Sequence, residues 1–538
     1  MARKHEASTL AVDAAKDTTH ADFRRADALS WREALITGDV TAVELSTMAL
    51  TSAAAHMSLG AFIHLDPDAS LARAEEIDAV RSLSLGSPSP RTASATEGHD
   101  GREPAALAFA RRNPLAGLPI AFKDLLDVAG MPTTRGSEAV PHRVAHHDDP
   151  GVRRVHHAGG VSVGKTQVPE FGLPCYSENT ISAPARNPLD PARTSGGSTG
   201  GGATAVAAGI LPFAPGNDGG GSVRIPAAAC GLVGLKPGRG RLPTDQQDSS
   251  VRNLGVSGPI ARTAHDAALL FDVMAGHAFS VELGADGLSE GPAMRTVRTA
   301  LQRAAGDGPP LSIAVDTRSP FSPDVDITLE EPAVEALEKG ITAARDAGHR
   351  VSGAEGRPAK GGGTGRDTAQ GPAGAAHVPG SDIWPPDYHR SFRTLWTSAL
   401  ADAPLSPDQE SRVAPLTRHF IELSRARSAE ETSAAIAHLQ AYADVPERCL
   451  GGADVLMTPM LAFAPPEIGW FSSMEPEENY RQQCRFTPYS SVVNVLGLPA
   501  VNVPMHSDDR GLSWSVQLIG GRGTEESLLA LAATLMRD

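Results

Sequence analysis

Two serines in a glycine-rich stretch are the residues of this sequence best suited to chemistry. The stretch runs from Thr194 to Arg224 and contains ten glycines in 31 residues. Glycine lets the backbone approach a ligand closely, and consecutive glycine N–H groups can converge on a developing negative charge. Ser198 lies in the first Gly/Ser loop of the stretch, and Ser222 ends the second. A serine at the end of such a loop is where the nucleophile of an acyl transfer would sit.

A serine nucleophile needs a base, and Lys123 is a candidate because it follows the short apolar segment Leu118–Phe122. A hydroxyl is a poor nucleophile until a base removes its proton. Lysine can serve only when neutral, so its pKa of about 10.4 would have to fall by about 3, equivalent to about 4 kcal/mol. Burial can lower the pKa of a lysine that far. Taken alone, a lysine at the end of a strand is more often an ordinary solvated side chain.

The elements around these residues predict an α/β fold. Thr41 and Glu44 form a capping box that opens a helix, and strand and helical patterns alternate from about Leu118 to about Leu270. We expect a single large domain with a twisted mixed β-sheet surrounded by helices.

The domain boundaries follow from changes in composition. We predict a polar N-terminal tail over 1–27 and a catalytic domain over 28–538. Two segments rich in Gly, Ser or Pro, 84–102 and 353–380, are predicted to be flexible insertions.

The overall composition excludes several classes of protein. The chain of 538 residues is 41 % hydrophobic and 21 % charged, as in a soluble globular protein, and its net charge of −15 disfavours nucleic-acid binding. It lacks the apolar segment of a signal peptide and any run of about 18 apolar residues, so we expect no membrane association. Its four cysteines fit no zinc spacing. These features predict a cytoplasmic enzyme with free thiols.

Three local patterns mimic other functions. Gly159–Thr166 matches a phosphate-loop consensus, but it follows a helical pattern and itself contains the strand Val161–Val163, so we expect no nucleotide binding. Gly196–Gly200 fits G-x-S-x-G, although the turns before it make a preceding strand doubtful. The histidine pairs within 146–157 cannot all point one way, and a helix cap with a solvated helix face explains them better than a metal site.

Taken together, these serines, the lysine and their surroundings resemble the amidase signature family. The matching segments are Pro119–Asp124, Ser195–Ala208, Asp218–Pro226, Cys230–Pro237, Gly258–Arg262, Asp454–Pro459 and Gly497–Ala500. The resemblance covers about residues 28–535 apart from the two insertions, and several ordered motifs at family spacing make it specific. It implies the α/β fold of that family and cleavage of a carboxamide, or of a linear or cyclic amide, without a metal or organic cofactor. The expected partner is a small-molecule amide, and a homodimer is compatible with the family.

The resemblance also implies a role for each residue of the site. Ser222 would be the nucleophile, Lys123 the base, and Ser198 the bridging serine, preceded by a cis peptide bond. Thr199 replaces a usual serine but keeps a hydroxyl. Asp218 and Arg224 would brace the loop by hydrogen bonds. The oxyanion hole would consist of the backbone N–H groups of Gly219, Gly220, Gly221 and Ser222.

Finer features concern the branch and the substrate pocket. Gly216–Ala227 resembles the branch that contains 6-aminohexanoate cyclic dimer hydrolase, whereas Ile225 stands where the amidase subunit of glutamyl-tRNA amidotransferase usually has Gln. We expect Cys175, Tyr176 and Asn494 to contact substrate. Aromatic residues of the C-terminal half are further candidates, although such residues more often pack in the core. They are Trp470, Phe471, Phe486 and Tyr489.

Two alternatives stay open at this point. The same residues could transfer an acyl group to an amine or cleave an ester. A non-catalytic subunit is the other alternative, and the presence of Lys123, Ser198 and Ser222 argues against it.

Overall fold

A computed structural model of the chain describes residues 22–85, 105–243, 250–280, 289–303, 306–353 and 383–536. The predicted insertions, 84–102 and 353–380, lie almost entirely outside these ranges. Within them, seventeen α-helices surround a large mixed β-sheet, which confirms the predicted α/β class.

The helices are spread along the whole described chain. In chain order they are α1 Ala28–Thr37, α2 Ala42–Ala55, α3 Pro67–Leu85, α4 Ala105–Arg112, α5 Pro150–His157, α6 Gly200–Ala207, α7 Arg224–Ala229, α8 Ala264–Ala275, α9 Pro292–Gln302, α10 Glu331–Asp346, α11 Tyr388–Ser398, α12 Pro407–Arg412, α13 Pro415–Ala426, α14 Ala429–Ala443, α15 Pro476–Phe486, α16 Ser491–Leu496 and α17 Glu525–Leu535.

The strands are short, and most of them are buried. They are β1 Phe62–Leu65, β2 Pro119–Lys123, β3 Pro132–Thr133, β4 Arg143–Val144, β5 Val161–Thr166, β6 Arg186–Asn187, β7 Asp190–Thr194, β8 Phe213–Asp218, β9 Val233–Lys236, β10 Val256–Ala261, β11 Ser312–Val315, β12 Arg350–Ser352, β13 Val455–Pro459, β14 Ala500–Ser507 and β15 Ser513–Gly520.

Two sheets position the site. The larger has eight strands in the order β12-β11-β13-β15-β14-β9-β10-β8, and β11 runs parallel to both of its neighbours while the other pairs are antiparallel. The smaller has the order β1-β5-β2, with β5 and β2 parallel. β2 lies against β8, the edge strand of the large sheet. The ends of β2 and β8, Lys123 and Asp218, therefore belong to neighbouring strands of two sheets.

Local sequence explains how these elements form. Every residue of β2 is buried, as its apolar sequence predicts. The capping box at Thr41 is present: its side chain accepts a hydrogen bond from the amide of Glu44, whose side chain bonds the amide of Thr41 in return. Local signals of this kind fix the helices, whereas the pairing of the two sheets is decided by tertiary contacts.

The N-terminal boundary differs from the prediction. Phe23 is fully buried, its ring packs edge-on against Trp31 at 5.5 Å, and its amide donates to the carbonyl of Gly209. Residues 22–27 therefore pack on the domain instead of belonging to a tail, held by the buried Phe23 ring and by hydrogen bonds from Arg262 to the carbonyls of Phe23 and Ala26. Within the described ranges, no helix is both long and apolar enough to cross a bilayer.

Candidate active site

The amine of Lys123 lies at the junction of the two sheets. Lys123 is fully buried, and its Nζ donates to Oγ of Ser198 at 2.8 Å and to the carbonyl oxygen of Asn217 at 2.9 Å. Lys123, at the end of β2 in the smaller sheet, is thus hydrogen bonded both to the first Gly/Ser loop and to the C-terminal end of β8. Two residues predicted to act together, 75 positions apart, are in direct contact.

Burial determines the charge of this amine. It lowers the pKa of Lys123 to about 7, although the negative charge of Asp218 partly opposes the shift. A large share of the amine is therefore neutral at neutral pH, which is the form that can accept a proton.

Ser198 is held by the loop between β7 and α6. The sequence makes a strand before Ser198 doubtful, but the structure has one: β7 ends four residues before it, pairs with β6 and forms an isolated bridge from Arg193 to Glu467. The Gly197–Ser198 peptide bond is cis, as the family resemblance implies. The amide of Thr199 donates to the carbonyl of Ser222 at 3.1 Å, which ties the first loop to the second.

The second loop, Gly219–Ser222, contains the Ser222 hydroxyl and three backbone amides without a hydrogen-bond acceptor among the described residues. Ser222 is 7 % exposed, and no described residue forms a hydrogen bond with its hydroxyl. The amides of Gly219, Gly220 and Ser222 also have no acceptor among the described residues. The amide of Gly221 differs, since it donates to Oδ1 of Asp218 at 2.7 Å. Gly221 is therefore committed to its own loop, which corrects the prediction that its N–H belongs to an oxyanion hole.

Gly221 is required by the backbone. Its φ is +125°, and a Cβ built there would lie 2.6 Å from Cδ1 of Ile225 and 2.7 Å from Cβ of Ser490. Only glycine tolerates both this conformation and this approach.

A buried ion pair holds the loop from beneath. Asp218 and Arg224 are both fully buried, and their side chains meet at 2.9 Å. Burial alone would raise the pKa of Asp218, but the charge and hydrogen bonds of Arg224 hold it well below its usual range. Arg224 also donates to Gln517 and to the carbonyl of Ser490, whose hydroxyl in turn donates to the carbonyl of Gly220. The predicted bracing role of the pair thus has its contacts in place.

Asn494 belongs to this brace. It is 1 % exposed, its Nδ2 donates to the carbonyl and to Oδ1 of Asp218, and its Oδ1 accepts from Arg224. We predicted a substrate contact for Asn494, and the structure corrects this: every polar atom of its carboxamide is used internally.

Thr199 acts through its backbone. Its Oγ1 is buried and has no hydrogen-bond partner among the described residues. A Cβ on Gly216 would lie 2.7 Å from this oxygen, so the threonine side chain is packed tightly against β8.

The remaining predicted wall residues mostly pack inward. The amide of Cys175 donates to Gln483 at 2.9 Å, and burial raises the pKa of its thiol well above the usual value. The ring of Tyr176 stacks on Phe471 at 4.7 Å, and a Cβ on Gly197 would meet the Tyr176 backbone at 2.9 Å. The Tyr176 backbone therefore packs against the first loop, and contact of Cys175 and Tyr176 with substrate stays a prediction. Three of the further aromatic candidates are fully buried core residues: Phe471, Phe486 and Tyr489.

The sequence analysis missed the aromatic side chains nearest the second loop. A Cβ on Gly219 would lie 3.3 Å from Cζ3 of Trp396, and one on Gly220 would lie 3.6 Å from Trp396 and 3.8 Å from Phe392. Both aromatic residues are on α11, more than 170 positions from the loop, and no motif of the family marks them. The only signal was their spacing of four on a helix.

Two of the three mimicking patterns, Gly159–Thr166 and the histidine pairs, have structural roles of their own. Gly159–Thr166 contains β5, and its Lys165 is paired with Asp124 at 2.9 Å in the protein interior. His156 is hydrogen bonded to Asp148 and Ser162. Within the described ranges, no group of three His, Cys, Asp or Glu side chains is placed to hold a metal ion.

A separate cavity of about 420 Å³ lies behind the lysine. Its walls include Phe122, Asn217, Arg154 and Arg239. Neither serine of the site and none of Gly219–Gly221 lines it.

The chain is similar to known amidases in sequence and in fold. The family model described as Amidase matches residues 95–358 and 391–529. A putative amidase, AmiB2, of Mycobacterium tuberculosis is 37 % identical over 435 residues, which cover 80 % of this chain and 83 % of that protein. A putative amidase of Synechocystis is 32 % identical over 422 residues, which cover 78 % of this chain and 74 % of that protein.

Among solved structures, 6-aminohexanoate cyclic dimer hydrolase superimposes with a TM-score of 0.72 at 25 % identity, covering 95 % of this chain and 96 % of that chain. This confirms the predicted resemblance. The chain therefore belongs to the amidase signature family and is an amide-cleaving hydrolase.

Proposed function

We propose that the protein hydrolyses carboxamides, or linear or cyclic amides, through an acyl-enzyme formed on Ser222. Lys123 is the base, and Ser198 relays the proton from Ser222 to Lys123. The observation that carries this proposal is the hydrogen bond between the buried amine of Lys123 and the hydroxyl of Ser198, 2.8 Å long. An amine with a pKa of about 7 is suited to accept a proton near neutral pH.

In the first half of the reaction, two linked proton transfers accompany the formation of one bond. Neutral Lys123 accepts the proton of Ser198 while Ser198 accepts the proton of Ser222. The Ser222 oxygen attacks the amide carbon, which places negative charge on the carbonyl oxygen and leaves Lys123 as an ammonium. The Ser222 hydroxyl, which no described residue binds, is free to turn toward Ser198, and the bond from Thr199 to the Ser222 carbonyl keeps the two loops together.

The amides of Gly219, Gly220 and Ser222 are the donors for the oxyanion, because the amide of Gly221 is already bound by Asp218. Removing one such donor typically costs about 3–4 kcal/mol of transition-state stabilisation. The buried network of Asp218, Arg224 and Asn494 fixes the loop in advance, so that the donors need no rearrangement when charge develops.

The second half restores the enzyme. The ammonium of Lys123 returns its proton through Ser198 to the departing nitrogen, the C–N bond breaks, and an ester remains on Ser222. Water then attacks the ester with the same relay as base. The carboxylic acid leaves, and Ser222 regains its proton.

The test is labelling of Ser222 by a fluorophosphonate together with turnover of an amide series. Wild type should label at Ser222, shown by peptide mass spectrometry, and Ser222→Ala should lose both labelling and turnover. Ser195→Ala is a matched control, since Ser195 lies in the same stretch but its hydroxyl bonds the carbonyl of Ala185. Full amidase activity in purified Ser222→Ala protein would refute the assignment. Adding hydroxylamine should divert part of the acyl group to a hydroxamate, which also measures acyl transfer against hydrolysis.

A further inference from the structure

We propose that the indole ring of Trp396 forms a wall of the substrate cleft and favours amides that carry an aromatic ring directly on the scissile group. This inference rests on the proposed function, because it places the wall beside the loop that is proposed to bind the carbonyl oxygen. Trp396 lies outside every motif of the family resemblance.

Helix α11 presents a ladder of rings on one face. Tyr388, Phe392 and Trp396 are spaced by four residues, which places them in line along a helix. The first two rings are nearly parallel, 5.4 Å apart, and the second and third are 5.7 Å apart at 26°. The hydroxyl of Tyr388 donates to Ser491, which anchors the ladder at its inner end.

The ladder runs from the core to the second glycine loop. Tyr388 is 1 % and Phe392 is 5 % exposed, whereas Trp396 is only partly buried. The outer ring lies against the loop, since a Cβ on Gly219 would be 3.3 Å from Cζ3 and 3.5 Å from Cη2 of Trp396. The two glycines thus leave room for an indole ring directly beside the backbone that precedes Ser222.

The indole of Trp396 also has a hydrogen-bond donor, Nε1, and partly exposed ring surface. No described residue accepts a hydrogen bond from its Nε1, and its partial exposure leaves ring surface that protein atoms do not cover. Because Phe392 supports the ring from behind, Trp396 is held in place before a ligand arrives.

A rigid aromatic surface beside the carbonyl site selects by shape and by ring electronics. Offset-stacked or edge-to-face aromatic pairs contribute beyond the apolar area that they bury, by about 3- to 10-fold in an equilibrium or rate ratio. A saturated ring of the same size gains the buried area but not this additional term. Discrimination between a flat and a saturated ring is therefore the signature of Trp396.

The experiment compares two pairs of substrates with rings of equal size. Benzamide is paired with cyclohexanecarboxamide, and acetanilide with N-cyclohexylacetamide, so that the ring stands on either side of the scissile bond. For each pair the ratio of kcat/KM values is measured in wild type, Trp396→Leu and Trp396→Phe. Comparing ratios between variants cancels the intrinsic difference in reactivity of the substrates.

We expect Trp396→Leu to lower the aromatic-to-saturated ratio by about 3- to 10-fold in at least one pair. Trp396→Phe should retain most of that ratio, because it keeps a ring against the loop. Trp514→Leu is the control: Trp514 packs in a separate cluster with Leu512 and Ala464, and its Nε1 donates to Asp508, so its loss should leave both ratios unchanged.

Ratios that are unchanged in Trp396→Leu for both pairs would overturn the inference while wild type still labels at Ser222. A wild type that neither labels nor hydrolyses any amide would instead overturn the proposed function. Thermal melting of each variant identifies loss of the fold, and Trp396→Phe keeps the test valid if the leucine variant unfolds.

Discussion

Two buried lysines, Lys123 and Lys236, lie near the Asp218–Arg224 ion pair. Of the two, Lys123 is hydrogen bonded to a serine hydroxyl and Lys236 to a backbone carbonyl. Lys123 ends β2 and Lys236 ends β9; both are fully inaccessible to solvent, and burial lowers the pKa of each to about 7. For Lys236 the charge of Arg224 acts in the same direction as burial. The Nζ of Lys236 donates to the carbonyl of Pro237 at 2.8 Å, whereas that of Lys123 reaches Ser198. The two lysines therefore share a lowered pKa and differ in their neighbours, and in the proposed mechanism the hydroxyl of Ser198 is what lets Lys123 act as the base.

A third buried lysine, Lys165, is paired with a carboxylate. Lys165 lies on β5, the strand next to β2, and forms an ion pair with Asp124 at 2.9 Å. Lys165 is thus held in an interior ion pair, whereas the amine of Lys123 contacts a hydroxyl and a carbonyl and no carboxylate among the described residues.

The largest expected effect is that of removing the amine at 123. Lys123→Met should lower kcat/KM by about 10²- to 10⁴-fold, the usual contribution of a general base. Lys236→Met, the matched control, should lower it by less than about tenfold, equivalent to about 1.4 kcal/mol. Steady-state kinetics on one amide substrate measures both. Equal losses in the two variants would break the distinction between the lysines.

The same variant should not lose stability. The folded-state pKa of Lys123 lies below its unfolded value, so burial of this amine opposes folding; the opposition is complete below pH about 7 and disappears as the pH rises through about 10.4. At neutral pH, Lys123→Met should therefore melt at the same temperature as wild type or higher. A lower melting temperature would attribute the lost activity to unfolding instead.

Asp218→Asn should have the next largest effect. It removes one member of a buried ion pair, which typically costs about 3–5 kcal/mol of stability, and loosens the second glycine loop. Because the charge of Asp218 raises the pKa of Lys123, its loss should move the acidic limb of the residual activity to lower pH. A pH profile of kcat/KM measures the shift. An unmoved limb, or one at higher pH, would show that Lys123 does not sense this carboxylate.

Much of this site could be predicted from the sequence because it is encoded locally. Lys123, Ser198 and Ser222 lie in short motifs. The glycines around the two serines indicate where the backbone needs a positive φ, as at Gly221, whose φ is +125°. The sequence does not reveal how partners far along the chain are used. Asn494 turned out to brace Asp218 from 276 positions away, and Trp396 lies beside Gly219 without any motif of its own. The commitment of the Gly221 amide to Asp218 was also missed, because a motif names residues but not the direction of each N–H.

The smallest expected effect concerns Thr199. Its buried hydroxyl has no partner among the described residues, so Thr199→Val should keep kcat/KM within about twofold and should not lower the melting temperature. Kinetics and thermal melting test this together. A loss of tenfold or more would mean that the hydroxyl contacts the substrate or the relay.

The rate of fluorophosphonate labelling at Ser222 as a function of pH tests the central claim most directly. This rate measures the reactivity of the Ser222 hydroxyl and does not require the amide substrate to be known. In wild type and in Lys236→Met the rate should rise with pH, with a midpoint near 7, as the amine of Lys123 loses its proton. In Lys123→Met labelling should be slow and should lack this rise. A rise near pH 7 that survives in Lys123→Met, or that disappears in Lys236→Met, would contradict the assignment of Lys123 as the base.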